Sequence, residues 1–146
     1  MSRFRLCAGR LPGVLTALTI LAGGPAFGAP TGLWQAQDGG MIRIAPCGKA
    51  LCGTLVKAVP AVDPQTGAPM KDKNNRDEAK RNRPLVGIHV LMNMRPDGPG
   101  QWSGTLYNDD DGGTYPGHLI EVGDGEIRIE GCSLGVCGGG NLKRVK

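Results

Sequence analysis

Hydrophobic and polar positions alternate with a period of two along most of the chain after residue 30. "MIRIA" sets Ile42 and Ile44 against Arg43, and "GEIRIEG" sets Ile127 and Ile129 against Arg128 and Glu130. Alternation of this kind predicts half-buried strands. "LVGIHVLMNM" is the strongest run, with Val86, Ile88, Val90, Met92 and Met94 expected along one face and His89 on the other. Further strands are predicted at "TGLWQAQ", "LCGTLVKAV", "QWSGTLYN", "TYPGHLIEV" and "NLKRV". Turn-forming residues, as in "RPDGPG", separate most of them. About eight short strands joined by short turns predict an all-β domain. Strands in sequence order close into a small antiparallel up-and-down β-barrel, which removes exposed edges. Such a barrel encloses side chains or one small ligand. With strands this short, a narrow or shallow cavity is expected.

One segment interrupts the strand pattern. The polar stretch 60–83 contains "KDKNNRDEAKRNR". Asn75 followed three residues later by Glu78 resembles a capping box, and Asp77 and Glu78 precede Lys80 and Arg81. A short helix in the 60–83 loop is therefore expected, ending before Pro84. Asp72, Asn75 and Arg83 crowd this loop, and long ordered loops often carry function. Pairing of Asp72 with Arg83 to hold the loop against the barrel is the plainer reading, and it is preferred.

The first 28 residues follow a different pattern. Arg3, Arg5 and Arg10 precede the apolar run Leu11–Gly24, and Ala26 and Gly28 offer small residues for a cut. This order predicts a signal peptide over 1–28, and the run is too short to span a bilayer. Residues 29–146 then form a single barrel-like domain, periplasmic or secreted, with no membrane span left after signal removal. Removal also takes three of the 17 Lys and Arg, leaving 14 against 13 acids. The basic balance belongs largely to the export signal and gives no argument for nucleic acid.

Four cysteines remain in the domain: Cys47 and Cys52, Cys132 and Cys137. An even count in a small exported domain predicts disulfides, with three connectivities open. The local pairs 47–52 and 132–137 are favoured, because each flanks a turn-like segment, "GKAL" or "SLGV". Zinc on four thiolates competes, but an oxidising compartment argues against it.

Candidate chemistry is sparse. In "YNDDDGGTY" no register satisfies a calcium-binding EF-hand loop, and Asn108–Gly113 reads as a hairpin turn. Neither His89 nor His118 belongs to a metal-ligand set, and no metal or cofactor is expected. Ser103 and Ser133 lie outside any nucleophile elbow. No catalytic residue is assigned. Candidate ligand contacts are Trp34, His89, Trp102, Tyr107 and Tyr115, with Asp72, Asn75 and Arg83 as loop contacts.

The segments "GLWQAQDGG", "IRIAPCGKALCGTL", "DKNNRDEAKRNRPLVG", "WSGTLYNDDDGGTY" and "EIRIEGCSLGVCGGGNLKRV" span nearly the whole domain. In this order they resemble the bacterial secreted family catalogued as domain of unknown function 2147. The chain departs from that pattern twice. A proline common in the family's turn is absent from "YNDDDGG", which suggests a different turn. A tryptophan common near the family's end is absent from "GNLKRV", which leaves one end less packed. The resemblance implies export and a small β-barrel, and supplies no catalytic residues. Gly32-Leu33-Trp34 is also similar to the G-x-W first strand of lipocalins, in which an arginine of the last strand covers the indole. Arg144 is the matching residue here. The expected function is a non-enzymatic binding module for a small apolar ligand or an envelope protein. One alternative is an envelope hydrolase using His89 or His118 with a carboxylate. Another is a structural or stress-related envelope protein acting through its surface.

Overall fold

The computed structural model describes residues 28–146. The expected signal peptide, apart from Gly28, lies outside these residues. Eight strands follow one another: β1 (Gly32–Ala36), β2 (Met41–Cys47), β3 (Ala50–Lys57), β4 (His89–Pro96), β5 (Gln101–Asn108), β6 (Gly113–Gly123), β7 (Glu126–Ser133) and β8 (Val136–Arg144). Each pairs antiparallel with the next, and β1 pairs with β8 to close the barrel. That last seam is short: Trp34, Gln35 and Ala36 meet Arg144, Lys143 and Leu142.

The inward face carries the aliphatic half of each alternating pattern. Trp34, Ile44, Leu91, Met94, Leu119 and Ile127 are buried to within 2% exposure, with Ile42, Leu51, Trp102 and Leu142 beside them. Burying a side chain of this size stabilises the fold by about 1.5–3 kcal/mol. Two glycines make room for two of these side chains. A Cβ at Gly53 would stand 2.9 Å from Leu91, and one at Gly104 would stand 2.7 Å from the Met94 sulfur. Large residues on β4 thus fill hollows on β3 and β5, as close packing requires.

Strand β4 does not follow the expected stripe. It begins at His89, Val86 lies half exposed ahead of it, and the fully buried residues are Leu91 and Met94. The cause is bulging. Gly53 and Thr54 pair with Leu91 and His89, so Val90 is an extra residue. A second irregularity follows Met92, where Asn93 adopts φ 53°. Each extra residue reverses the parity of the strand.

The expected short helix in the 60–83 loop is a single 3₁₀ turn, Glu78–Lys80. Asp77 caps it, its Oδ1 accepting from the Ala79 N–H at 3.1 Å; Asn75 does not. The Asn75 side chain is drawn inward instead. Leu85, Ile88 and Ala58 of the loop pack with Tyr107, against Leu55, Val90 and Met92.

Two disulfides join Cys47 to Cys52 and Cys132 to Cys137. The first staples the β2–β3 hairpin and the second the β7–β8 hairpin, at opposite ends of the barrel.

Candidate functional site

Alternating strand directions gather the β1–β2 turn, the 58–88 loop and the β5–β6 turn at one end of the barrel. The interior is open at this end. A cavity of about 770 Å³ reaches down to Ile42, Leu55, Leu91, Leu106, Ile129 and Leu142. A second space of about 340 Å³ lies beside it, under Val59, Pro60, Met70 and Leu85 of the loop. The two share Ile42, Leu55 and Leu142 as floor and Asp38, Asp109 and Asp110 as rim.

The rim is built by two turns. Asp38 folds back on its own turn, its Oδ1 accepting from the Gly40 N–H at 2.9 Å. The aspartate segment is the expected hairpin turn, with β5 ending at Asn108 and β6 starting at Gly113. It also does more than reverse the chain. Asn74 Nδ2 donates to the Asp109 and Asp110 carbonyls at 3.1 and 3.0 Å, tying the 58–88 loop to the turn. Asp111 turns away from the cavity, accepting from the Gly113 N–H and the Tyr115 hydroxyl. Those two bonds, the tyrosine's first, hold its carboxyl below the usual carboxylate range. Asp109 behaves oppositely. Burial, and then the Asp110, Asp72 and Asp38 carboxylates, push its carboxyl up.

A buried polar cluster fixes the loop that walls the smaller space. Asp72 is completely buried and pairs with the half-exposed Arg83 at 2.8 Å. One carboxylate oxygen accepts from the Tyr107 hydroxyl. The other accepts from Asn75 Nδ2 at 2.8 Å and Arg83 Nε at 2.9 Å. Asn75 also donates to the Tyr107 oxygen at 3.0 Å, and Arg83 stands 5.9 Å from the Tyr107 ring centroid. Burial pushes the Asp72 carboxyl up, but the bonds from Tyr107, Asn75 and Arg83 outweigh it and leave it below the ordinary value. Burial, and next the Asp72 carboxylate, push the Tyr107 phenol up to about 12.

The sequence candidates therefore separate. Tyr107 borders the main cavity. Tyr115 lines a smaller space at the same end with Leu106 and Asn108. Asp72, Asn75 and Arg83 act behind the wall. Trp34 and Trp102 belong to the packed interior. The Trp34 Nε1 donates to the Pro30 carbonyl at 2.9 Å, and the Arg144 guanidinium lies 4.2 Å over its ring, as the lipocalin likeness implies. His89 is exposed, 3.2 Å from the Thr54 hydroxyl.

His118 sits 3.1 Å from the Ser103 hydroxyl, which donates to Asp97. This chain places serine between acid and imidazole, whereas a hydrolytic triad places the imidazole in the middle. Neither histidine borders the cavity. Among the described residues, no three His, Cys, Asp or Glu side chains gather as a metal site. No described helix is long and apolar enough to cross a membrane.

Sequence reasoning missed the rim acids as a set. Asp38 and the aspartate turn were visible only as turn formers. The signal was topological: in an up-and-down barrel the first, third, fifth and seventh connections share an end.

The barrel from β1 to β8 coincides with the span of a known family model. The family described as uncharacterized proteins conserved in bacteria (DUF2147) matches residues 32–144. The chain belongs to the DUF2147 family. No curated protein matches this DUF2147 chain. Among solved structures it is similar to protein HP1028 from the human pathogen Helicobacter pylori, described as belonging to the lipocalin family. The two are 20% identical, with a TM-score of 0.65 over 80% of this chain and 82% of the other. That likeness establishes a lipocalin-like fold for the DUF2147 chain.

Proposed function

We propose that this DUF2147 protein is an exported, non-enzymatic binding module that takes a small, mainly apolar ligand into the open end of its barrel. The observation that carries this reading is the cavity of about 770 Å³ with an aliphatic floor. Its size falls within the range of small-molecule sites, about 300–1,000 Å³. The lipocalin-like fold is compatible with such a role but does not fix it. Two disulfides fit an oxidising compartment, and the basic, apolar and small-residue order of residues 1–28 supports a periplasmic or secreted location. The hydrolase alternative lacks a histidine in the cavity.

The test is titration with N-phenyl-1-naphthylamine, an uncharged apolar fluorophore. Saturable one-site binding is expected, weakened at least about tenfold (about 1.4 kcal/mol) by Leu55→Trp or Ile129→Trp, which fill the cavity. Unsaturable binding, or binding indifferent to both correctly folded variants, refutes the reading.

A further inference from the structure

Closure of the barrel leaves part of one strand uncovered. Strand β1 ends at Ala36, opposite Leu142, so the Val136–Asn141 part of β8 has no strand on that side. Hydrogen bonding along β8 alternates: the Arg144 N–H donates to the Gly125 carbonyl beside β7 at 2.8 Å, and the Val145 N–H to Leu33 of β1 at 2.9 Å. The β7–β8 register is unbroken, so Cys137, Gly139 and Asn141 also turn their N–H and C=O groups away from β7. Among the described residues, no backbone group answers them.

Natural sheets guard such edges with lysine, proline or a bulge. This edge has none of these. Residues 131–142 carry no charged side chain, and Val136 to Gly140 are all exposed. Packing explains only one of the three glycines. A Cβ at Gly139 would overlap the Ile129 carbonyl, but one at Gly138 or Gly140 would meet nothing within 4 Å. Glycine weakens a strand interior, and it often marks the close approach of another backbone. The Cys132–Cys137 disulfide staples the hairpin that carries the edge, so the edge is ordered before any partner arrives.

We propose that this edge is a homodimer interface, in which two copies pair β8 antiparallel about a two-fold axis at Gly138. An unpaired ladder recognises an extended backbone, and an antiparallel edge is complementary to itself under a two-fold axis. With the axis at Gly138, Cys137 of each copy faces Gly139 of the other, and about four backbone bonds form before β1 is reached. Val136 of each copy falls opposite Gly140 of the other, where the missing side chain leaves room for it. Gly140 borders the main cavity, so each copy extends the cavity wall of the other. No like charges meet at the axis, and the processed chain as a whole sets 14 Lys and Arg against 13 acids. A ladder this short makes a weak, reversible dimer. The interface does not depend on the ligand-binding reading above.

Sedimentation equilibrium of the exported, processed protein with both disulfides intact tests the proposal. A monomer–dimer equilibrium with a Kd of about 1–100 µM is expected. Hydrogen exchange locates the contact. At about ten times the Kd, the Cys137 and Gly139 amides should exchange about fivefold more slowly than in dilution, because about one fifth of the chains are then monomeric. The Gly138 and Gly140 amides, already bonded to β7, should not change. Gly138→Lys sets two ammonium groups against each other at the axis and should weaken dimerisation at least about tenfold without unfolding the monomer. Val122→Lys, at an exposed position on the opposite end of the barrel, should leave it unchanged. A monomer throughout about 1–500 µM, which would leave the edge to another protein's strand, overturns the proposal. So does a dimer that leaves the Cys137 and Gly139 amides unprotected or survives Gly138→Lys. The cavity reading stands under each of these results.

Discussion

Replacing Tyr107 by phenylalanine removes one oxygen from the centre of the loop anchor. That oxygen donates to Asp72 and accepts from Asn75. The ring stays, so packing with Ala58, Leu85 and Ile88 is preserved. What remains is a buried carboxylate with one oxygen served by Asn75 and Arg83 and the other unserved. Loss of a hydrogen bond to a buried charged group costs about 1.5–3 kcal/mol. For a domain of this size that lowers the melting temperature by roughly 6–12 °C. Urea unfolding followed by tryptophan fluorescence, with disulfides intact, measures it. The pH dependence separates this cause from a packing defect. The native pKa of Asp72 lies below its unfolded value, so its contribution is full above about pH 4 and is lost as pH falls through the native value. In the variant Asp72 loses its leading hydrogen bond and its native pKa rises. The stability gap should therefore be full at pH 7 and narrow below pH 4. At the alkaline side the sign reverses: the phenol is raised to about 12, so its contribution is present below pH 10 and lost as pH rises towards 12. The variant lacks that alkaline loss. A gap under about 0.5 kcal/mol, or one that stays constant from pH 7 to pH 2.5, refutes the reasoning.

Gly112 sits at φ 67° with the Asn74 backbone against it, so a Cβ would overlap the Asn74 carbonyl. Gly112→Ala should lower stability by at least about 1–2 kcal/mol and free the 58–88 loop from the turn; protease sensitivity within 60–83 and a thermal melt check both effects. Arg144→Ala removes the cation over Trp34 and the bond to the Thr31 carbonyl at 2.6 Å. A loss of about 1–2 kcal/mol is expected, together with a shift in Trp34 emission, while binding of N-phenyl-1-naphthylamine at the opposite end stays unchanged.

The alternating segments made the fold legible. Ile42 and Ile44, or Ile127 and Ile129, declare which face is buried without any knowledge of neighbours. Strand β4 resisted that reading because bulges at Val90 and near Asn93 are set by pairing with β3 and β5, and pairing partners leave no trace in one strand's periodicity. The 60–83 segment carries helix-capping residues, but burial of Asp72 takes Asn75 for itself and leaves one 3₁₀ turn capped by Asp77. Tertiary demand overrode local propensity there. The aromatic residues suggested ligand contact by type alone, and Trp34 and Trp102 were needed for the interior. The rim acids look like ordinary turn residues until strand order brings their turns together.

All but one of the neighbouring strand pairs join segments consecutive along the chain, while the β1–β8 seam rests on three residue pairs. Closing that seam ties Trp34 to Arg144 and spans the whole domain, which makes it the most entropically demanding contact to form. The wall therefore behaves as a meandering ribbon fastened by a single clasp, and Arg144 over Trp34 is the catch. Amide exchange at Gln35 and Lys143 reports directly on how often the clasp comes undone.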